Sequence, residues 1–337
     1  TVSAGYVLGS IFVLSISAYY LLRGRHVEIA RRSMTVAASF GLLSALSVVV
    51  LGDESGYTAG ENQKMKLAAI EAMWDTEPAP ASFTVVGLPD LSTHQTHYAV
   101  KIPWVMGLIA TRSVDKTLPG INELVEEAHH RIEDGLIAYR ALEAIKKAPK
   151  DESLRRTLDA HINNLGYALL LKRYRPDIEN ATRAEITRAA YSTIPDVPVL
   201  FWSFRIMVGL GFFFIALFTY AFWLSAHRRL ERWRWFLKLC FLSLPMPWIA
   251  AELGWIVAEY GRQPWVIEGV LPTFLGVSST PAGNVLFSLV GFVVFYTALL
   301  VADLYLLIKY IRLGPEGDGI PFSGARKLAA EVNDARL

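Results

Sequence analysis

The chain has 337 residues, of which 53% are hydrophobic and only 19% charged, against about 25% charged in an ordinary soluble domain. So apolar a composition argues against disorder, and a net charge of +2 argues against nucleic-acid binding, which needs a concentrated basic surface. The single cysteine, Cys240, rules out an internal disulfide framework and any multi-cysteine zinc or iron–sulfur site, and the leading class is an integral membrane protein with a sizeable polar part.

Five apolar runs reach the roughly 20 residues that cross a bilayer: 1–22, 33–52, 199–225, 236–258 and 284–308. The first opens at Thr1 with no charged n-region and no A-x-A-like cleavage site, so it reads as a span and not as a signal peptide. The expectation is either a processed chain or a sequence beginning inside a longer one. The loop 23–32 carries Arg23, Arg25, Arg31 and Arg32 against Glu28. The loop 226–238 carries Arg228, Arg229, Arg232, Arg234 and Lys238 against Glu231, and Lys309 and Arg312 follow the last span. Basic residues in short loops mark the cytoplasmic side, and all three clusters fit one alternating topology.

The expected architecture is an all-α integral membrane protein. It is a bundle of about five transmembrane helices with a large periplasmic module between spans two and three. Two spans fall in 1–52, the polar module in 53–198, three spans in 199–312 and a cytoplasmic tail in 313–337. Within the module the apolar spacing predicts helices over 60–74, 119–147 and 153–173. Segment 76–104, rich in Pro, Gly and β-branched residues, reads as loop with short extended pieces.

The fourth span carries the clearest candidate chemistry. Trp248, Glu252, Trp255 and Glu259 are spaced 4, 3 and 4, which places two tryptophans and two carboxylates on one stripe of a helix. A carboxylate inside a membrane is costly and usually faces a bundle interior or a cavity. Tryptophan beside carboxylate suits a large flat cofactor with a polar or metal centre. The competing reading puts Glu259 in interfacial water and Trp255 in an aromatic belt, which leaves the deeper Glu252 unexplained. In the third span, Arg205 near the outer end could snorkel. Met207 is ordinarily packing, although a thioether can also serve as an axial haem ligand. No histidine lies in an apolar run. His94-x-x-His97 and His129–His130 read as surface residues. Lys66 and Glu71 are five apart, so spacing alone makes no site of them. Gly261-Arg262-Gln263-Pro264-Trp265 returns an arginine and a tryptophan to the outer layer of Glu259 and Arg205.

That last run, continued by Val-Ile-Glu-Gly-Val-Leu-Pro-Thr, resembles the signature of subunit I of the cytochrome bd quinol oxidases. So do Gly52-Asp53-Glu54-Ser55-Gly56-Tyr57, Lys66-Leu67-Ala68-Ala69-Ile70-Glu71, Ala110-Thr111-Arg112-Ser113-Val114-Asp115 and Phe204-Arg205-Ile206-Met207. The five motifs stand in the family's order, and the resemblance covers all but about the last twenty residues. It implies a haem-carrying membrane oxidase that oxidises ubiquinol at the periplasmic face and reduces dioxygen to water, generating a proton gradient without a pump. Met207 then matches the axial methionine of a low-spin haem b, and Arg205 the arginine beside it, with Arg262 also haem-associated. Glu259 matches a carboxylate ligand in the pair formed by a high-spin haem b and haem d, and Trp255 the tryptophan between haems, with Glu252 beside it. Lys66 and Glu71 match residues tied to quinol oxidation in a long Q-loop. The implied partners are a second large oxidase subunit and a small single-span subunit in a bacterial inner membrane. Family members begin with four further spans and two ligand histidines, one of which would lie immediately before Thr1. The expectation is therefore the C-terminal part of a subunit I. A non-catalytic truncated scaffold remains an alternative, and a proton-coupled transporter using Glu252 and Glu259 a weaker one.

Overall fold

The computed structural model describes residues 1–113 and 115–315. Val114, and the expected tail beyond residue 315, lie outside the described residues. Five stretches are long and apolar enough to cross a membrane. Helix α1 spans Val2–Arg23 and α2 spans Val27–Asn62. After a break at Gln63 come α3 (Lys64–Glu71), a hairpin of β1 (Phe83–Asp90) and β2 (Gln95–Ile102), and α4 (Val105–Thr111). Then follow α5 (Ile121–Lys147), α6 (Glu152–His161), α7 (Leu165–Leu169) and α8 (Arg183–Tyr191). The third span is α9 (Val197–Ala226), started by Asp196, whose side chain accepts from the Val199 N–H. Helices α10 (Arg234–Leu242) and α11 (Met246–Glu259) follow, then short strands β3 (Trp265–Ile267) and β4 (Leu271–Pro272), and last α12 (Ala282–Leu313).

Four departures from the sequence reading stand out. Helix α2 continues ten residues past the expected end of its span at 52. At 1.5 Å per residue its 36 residues measure about 54 Å, so its last turns stand clear of a hydrocarbon layer about 30 Å thick. The continuation is held from α4, where Arg112 pairs with Glu54 and stacks 4.4 Å from the Tyr57 ring centroid. The fourth apolar run is not one helix but two, broken around Ser243–Pro245, because Pro245 and Pro247 lack the N–H a continuous helix needs. Segment 76–104, expected to be mostly loop, contains a hairpin with eight-residue strands paired from Phe83↔Ile102 to Asp90↔Gln95 and bulged twice. The expected helix over 153–173 is likewise divided into α6, α7 and short 3-10 turns. Helix α8 had a legible start, the capping box of Thr182 and Glu185, a T-x-x-E pattern.

Two apolar cores result. One fills the span bundle with Ile11, Leu14, Ala18, Met34, Phe218, Ala221 and Cys240, all essentially inaccessible. The buried Ser15 and Ser243 hydroxyls are satisfied there by the Cys240 carbonyl. The other core runs through the polar module and into the spans, joining Ile121, Ile132 and Leu171 to Leu200 and Phe201 of α9 and Val257 of α11. The module is thus packed onto the helix ends. The three basic clusters meet at the opposite end, as the shared parity predicted. Arg31 bonds Glu231, Arg234 reaches the Leu22 carbonyl, and Tyr20 Oη donates to the Ile311 carbonyl. Helix α12 buries none of its residues within this chain.

The β3–β4 hairpin is seated on α7 by a glycine contact. A Cβ on Gly166 would collide with the Gly269 carbonyl, so the two backbones meet only because residue 166 has no side chain. Gly166→Ala should destabilise the module by about 1–3 kcal/mol, the usual cost of overpacking, and lower its melting temperature. A wild-type melting curve would show that this contact does not seat the hairpin.

Candidate functional site

The site is built where α3 lies across the ends of α9 and α11 that face the polar module. Lys66 and Glu71 leave α3 towards different partners, as their five-residue spacing requires. Lys66 Nζ donates to the Ala258 carbonyl on α11 at 3.0 Å. Burial lowers the affinity of this lysine for its proton, Arg262 adds to that, and Glu259 and Glu268 oppose it.

Glu71 is buried, with a side chain 4% exposed, and its carboxylate meets Arg205 on α9 at 3.0 Å. Burial pushes the Glu71 carboxyl up to about 7, outweighing the downward pull of the Arg205 guanidinium. Arg205 does not snorkel. Its Nε donates to the Thr84 carbonyl at 3.0 Å, and its terminal nitrogens bond Thr84, Ile70 and Phe201 carbonyls. The guanidinium lies 3.6 Å from the Phe201 ring centroid, a desolvated cation–π contact. One side chain therefore joins α9, α3 and the β1–β2 hairpin. Sequence reasoning missed Thr84, whose backbone oxygen leaves no trace in residue type. It also took His94 for a surface residue. The ring in fact stacks on Trp74 at 5.0 Å and 7°, with Nδ1 3.2 Å from Asn122 Oδ1, because the hairpin folds back onto the end of α3.

Two residues beyond Arg205, Met207 packs against α11 where that helix carries Gly254. A Cβ there would stand 3.2 Å from Met207 Sδ. The stripe on α11 is as spaced: Trp248, Glu252 and Trp255 are exposed in this chain and Glu259 half-exposed. Glu259 pairs with Arg262 at 3.2 Å. Arg262 Nε is buried without a hydrogen-bond partner among the described residues. Such an orphaned donor costs free energy until an acceptor arrives. A thioether on α9, a carboxylate at the end of α11 and an unpaired guanidinium N–H just after it are groups that could hold haem, the first two as iron ligands of separate haems and the third as a partner for a propionate. The residues present fit the group. On the other side of α3 a cavity of about 390 Å³ is lined by Tyr57, Lys64, Leu67, Met73, Thr111 and Leu118; neither Lys66 nor Glu71 lines it.

Fold and site together define a helical membrane protein whose polar module docks a lysine and a buried glutamate onto the ends of two spans. The family model for cytochrome bd terminal oxidase subunit I matches residues 1–315. The chain is 42% identical over 315 residues to cytochrome bd-II ubiquinol oxidase subunit 1 of Escherichia coli (strain K12), covering 94% of this chain and 61% of that protein. It is 27% identical to cytochrome bd ubiquinol oxidase subunit 1 of Bacillus subtilis (strain 168), covering 92% and 54%. The bd oxidase structure from Geobacillus thermodenitrificans superposes with a TM-score of 0.62 at 22% identity, covering 93% of this chain and 56% of that one. The chain belongs to the cytochrome bd terminal oxidase subunit I family, and it spans between about half and three-fifths of the length of these relatives.

Proposed function

We propose that the chain forms the quinol-binding and part of the haem-holding portion of a terminal oxidase in a bacterial inner membrane. The observation that carries this reading is the Glu71–Arg205 ion pair. It fixes the two quinol candidates on α3 to the helix that bears Met207. Residues 53–198 face the periplasm in this reading, and the basic loops face the cytoplasm. Ubiquinol binds beside α3, where Lys66 supplies a cationic donor to a quinol oxygen and Glu71 an acceptor for a hydroxyl. Burial lowers the affinity of Lys66 for its proton and raises the Glu71 carboxyl to about 7. Bound haem, with low-spin haem b at Met207 and high-spin haem b and haem d on the Glu259 side, supplies the electron carriage to dioxygen, which is reduced to water. Arg205 and Arg262 hold positive charge beside it, and Trp255 and Glu252 line its flank from the uncovered face of α11. A second large subunit and a small single-span subunit complete the complex and cover faces that this chain leaves bare, α12 among them.

In the complete oxidase, Lys66→Ala should reduce ubiquinol oxidation about 10- to 100-fold, the worth of a charged hydrogen bond of roughly 1.5–3 kcal/mol. The haem absorbance should stay unchanged, since the one hydrogen bond Lys66 makes goes to the Ala258 carbonyl and not to a proposed haem ligand. Full turnover at limiting quinol would remove Lys66 from the site.

A further inference from the structure

Glu268 belongs to the Val266–Val270 turn of the β3–β4 hairpin and carries no role in the reading above. Its position is closely determined. Trp265 is buried and packs edge-on against Tyr167 at 5.1 Å. Gly269, with φ of 67°, reverses the chain against α7. The half-buried Glu268 is thereby brought within electrostatic reach of two sets of groups. One set is Lys66 of α3 and Arg262 after α11. Lys66 runs along Gly261, at whose Cβ position Lys66 Cε would stand 3.2 Å away. The other set is Arg131 of α5 and Tyr167 of α7, themselves joined by a 3.3 Å bond from Arg131 to Tyr167 Oη. Arg131 continues to Glu127, at the edge of a groove lined by Glu123, Glu126, His130 and Asp134 that opens to solvent. Among the described residues Glu268 makes no hydrogen bond or ion pair, so its carboxylate is free to take a proton.

We propose that Glu268 is the proton-release carboxylate of the Lys66 site, passing protons from quinol oxidation to the acidic groove on α5 and so to outer solvent. The proposal rests on the quinol reading of Lys66 given above. Oxidation of one quinol to quinone releases two electrons and two protons. The electrons leave through the oxidase's redox groups to dioxygen, the terminal oxidant. Each proton in turn converts the Glu268 carboxylate to the acid, which returns it to water at the groove and is reset. Burial raises the Glu268 carboxyl above its usual range, while Lys66, Arg131 and Arg262 oppose the rise. A group held that way accepts a proton more readily than an exposed glutamate and still gives it up.

The test is Glu268→Gln in the complete oxidase, with Glu268→Asp and Lys66→Ala alongside. Glu268→Gln should lower kcat for ubiquinol about tenfold, less than the 10²–10⁴ of a direct general base because water takes over part of the transfer. KM should stay unchanged. The fall in wild-type rate at acid pH should disappear in Glu268→Gln and reappear in Glu268→Asp. In the redox difference infrared spectrum, a protonated-carboxyl band should be lost in the Gln variant, with haem absorbance intact as the sign of correct assembly. Glu268→Gln with wild-type kcat, acid limb and infrared band, beside an impaired Lys66→Ala, overturns the release role and leaves the quinol site standing. A fully active Lys66→Ala overturns both.

Discussion

Replacing Met207 with leucine should strip the assembled oxidase of its low-spin haem b signal while leaving the spans packed. The thioether sulfur is the only lone-pair donor the side chain offers, and leucine offers none. Leucine and methionine are close in volume, and such a swap usually costs less than about 1.5 kcal/mol. With packing so little changed, a loss of haem would report ligation and not collapse. The measurement is a reduced-minus-oxidised spectrum: the sharp low-spin band should vanish or turn high-spin. An unaltered band at full haem content would return Met207 to ordinary packing.

Removing the Glu71 carboxylate should be the most damaging single change in the polar module. The Arg205 side chain is 7% exposed, and deleting its partner leaves a buried uncompensated charge, a loss of about 3–5 kcal/mol. Glu71→Ala should therefore release α3 and the β1–β2 hairpin from α9, seen as a lower melting temperature and easier proteolysis between 72 and 104. Glu71→Gln keeps hydrogen-bonding atoms in place and isolates the charge. Because the folded-state carboxyl is raised from 4.5 to about 7, its contribution is fully present below about pH 4.5 and is lost as pH rises through about 7. The stability of Glu71→Gln relative to wild type should thus improve from about pH 5 to about pH 8. A difference independent of pH would mean that Glu71 is ionised throughout.

The legible part of this protein was the part that depends on neighbours along the chain. Arg23, Arg31, Arg229 and Arg234 lie in short loops, so one parity fixed their common end, where the structure bonds Arg31 to Glu231 and Arg234 to the Leu22 carbonyl. The 4-3-4 spacing of Trp248, Glu252, Trp255 and Glu259 needed only helical geometry. Lys66, Glu71, Arg205 and Met207 were found by resemblance, because their residue types and spacings alone fit ordinary packing and solvated helices.

By itself, then, the sequence determined five apolar runs, the common end of their basic loops and one face of α11, since hydropathy and period are local quantities. The tertiary structure decided the rest. It set Glu71 against Arg205 across 134 positions and Lys66 against Ala258 across 192. It stacked His94 on Trp74, and a contact between Gly166 and Gly269 seated on α7 the hairpin that carries Glu268 within electrostatic reach of Lys66. These pairings join residues that no local period relates, and several use backbone oxygens, which every residue carries. They exist because the module's apolar core is continuous with the ends of α9 and α11, and burying that shared surface brings the polar groups together.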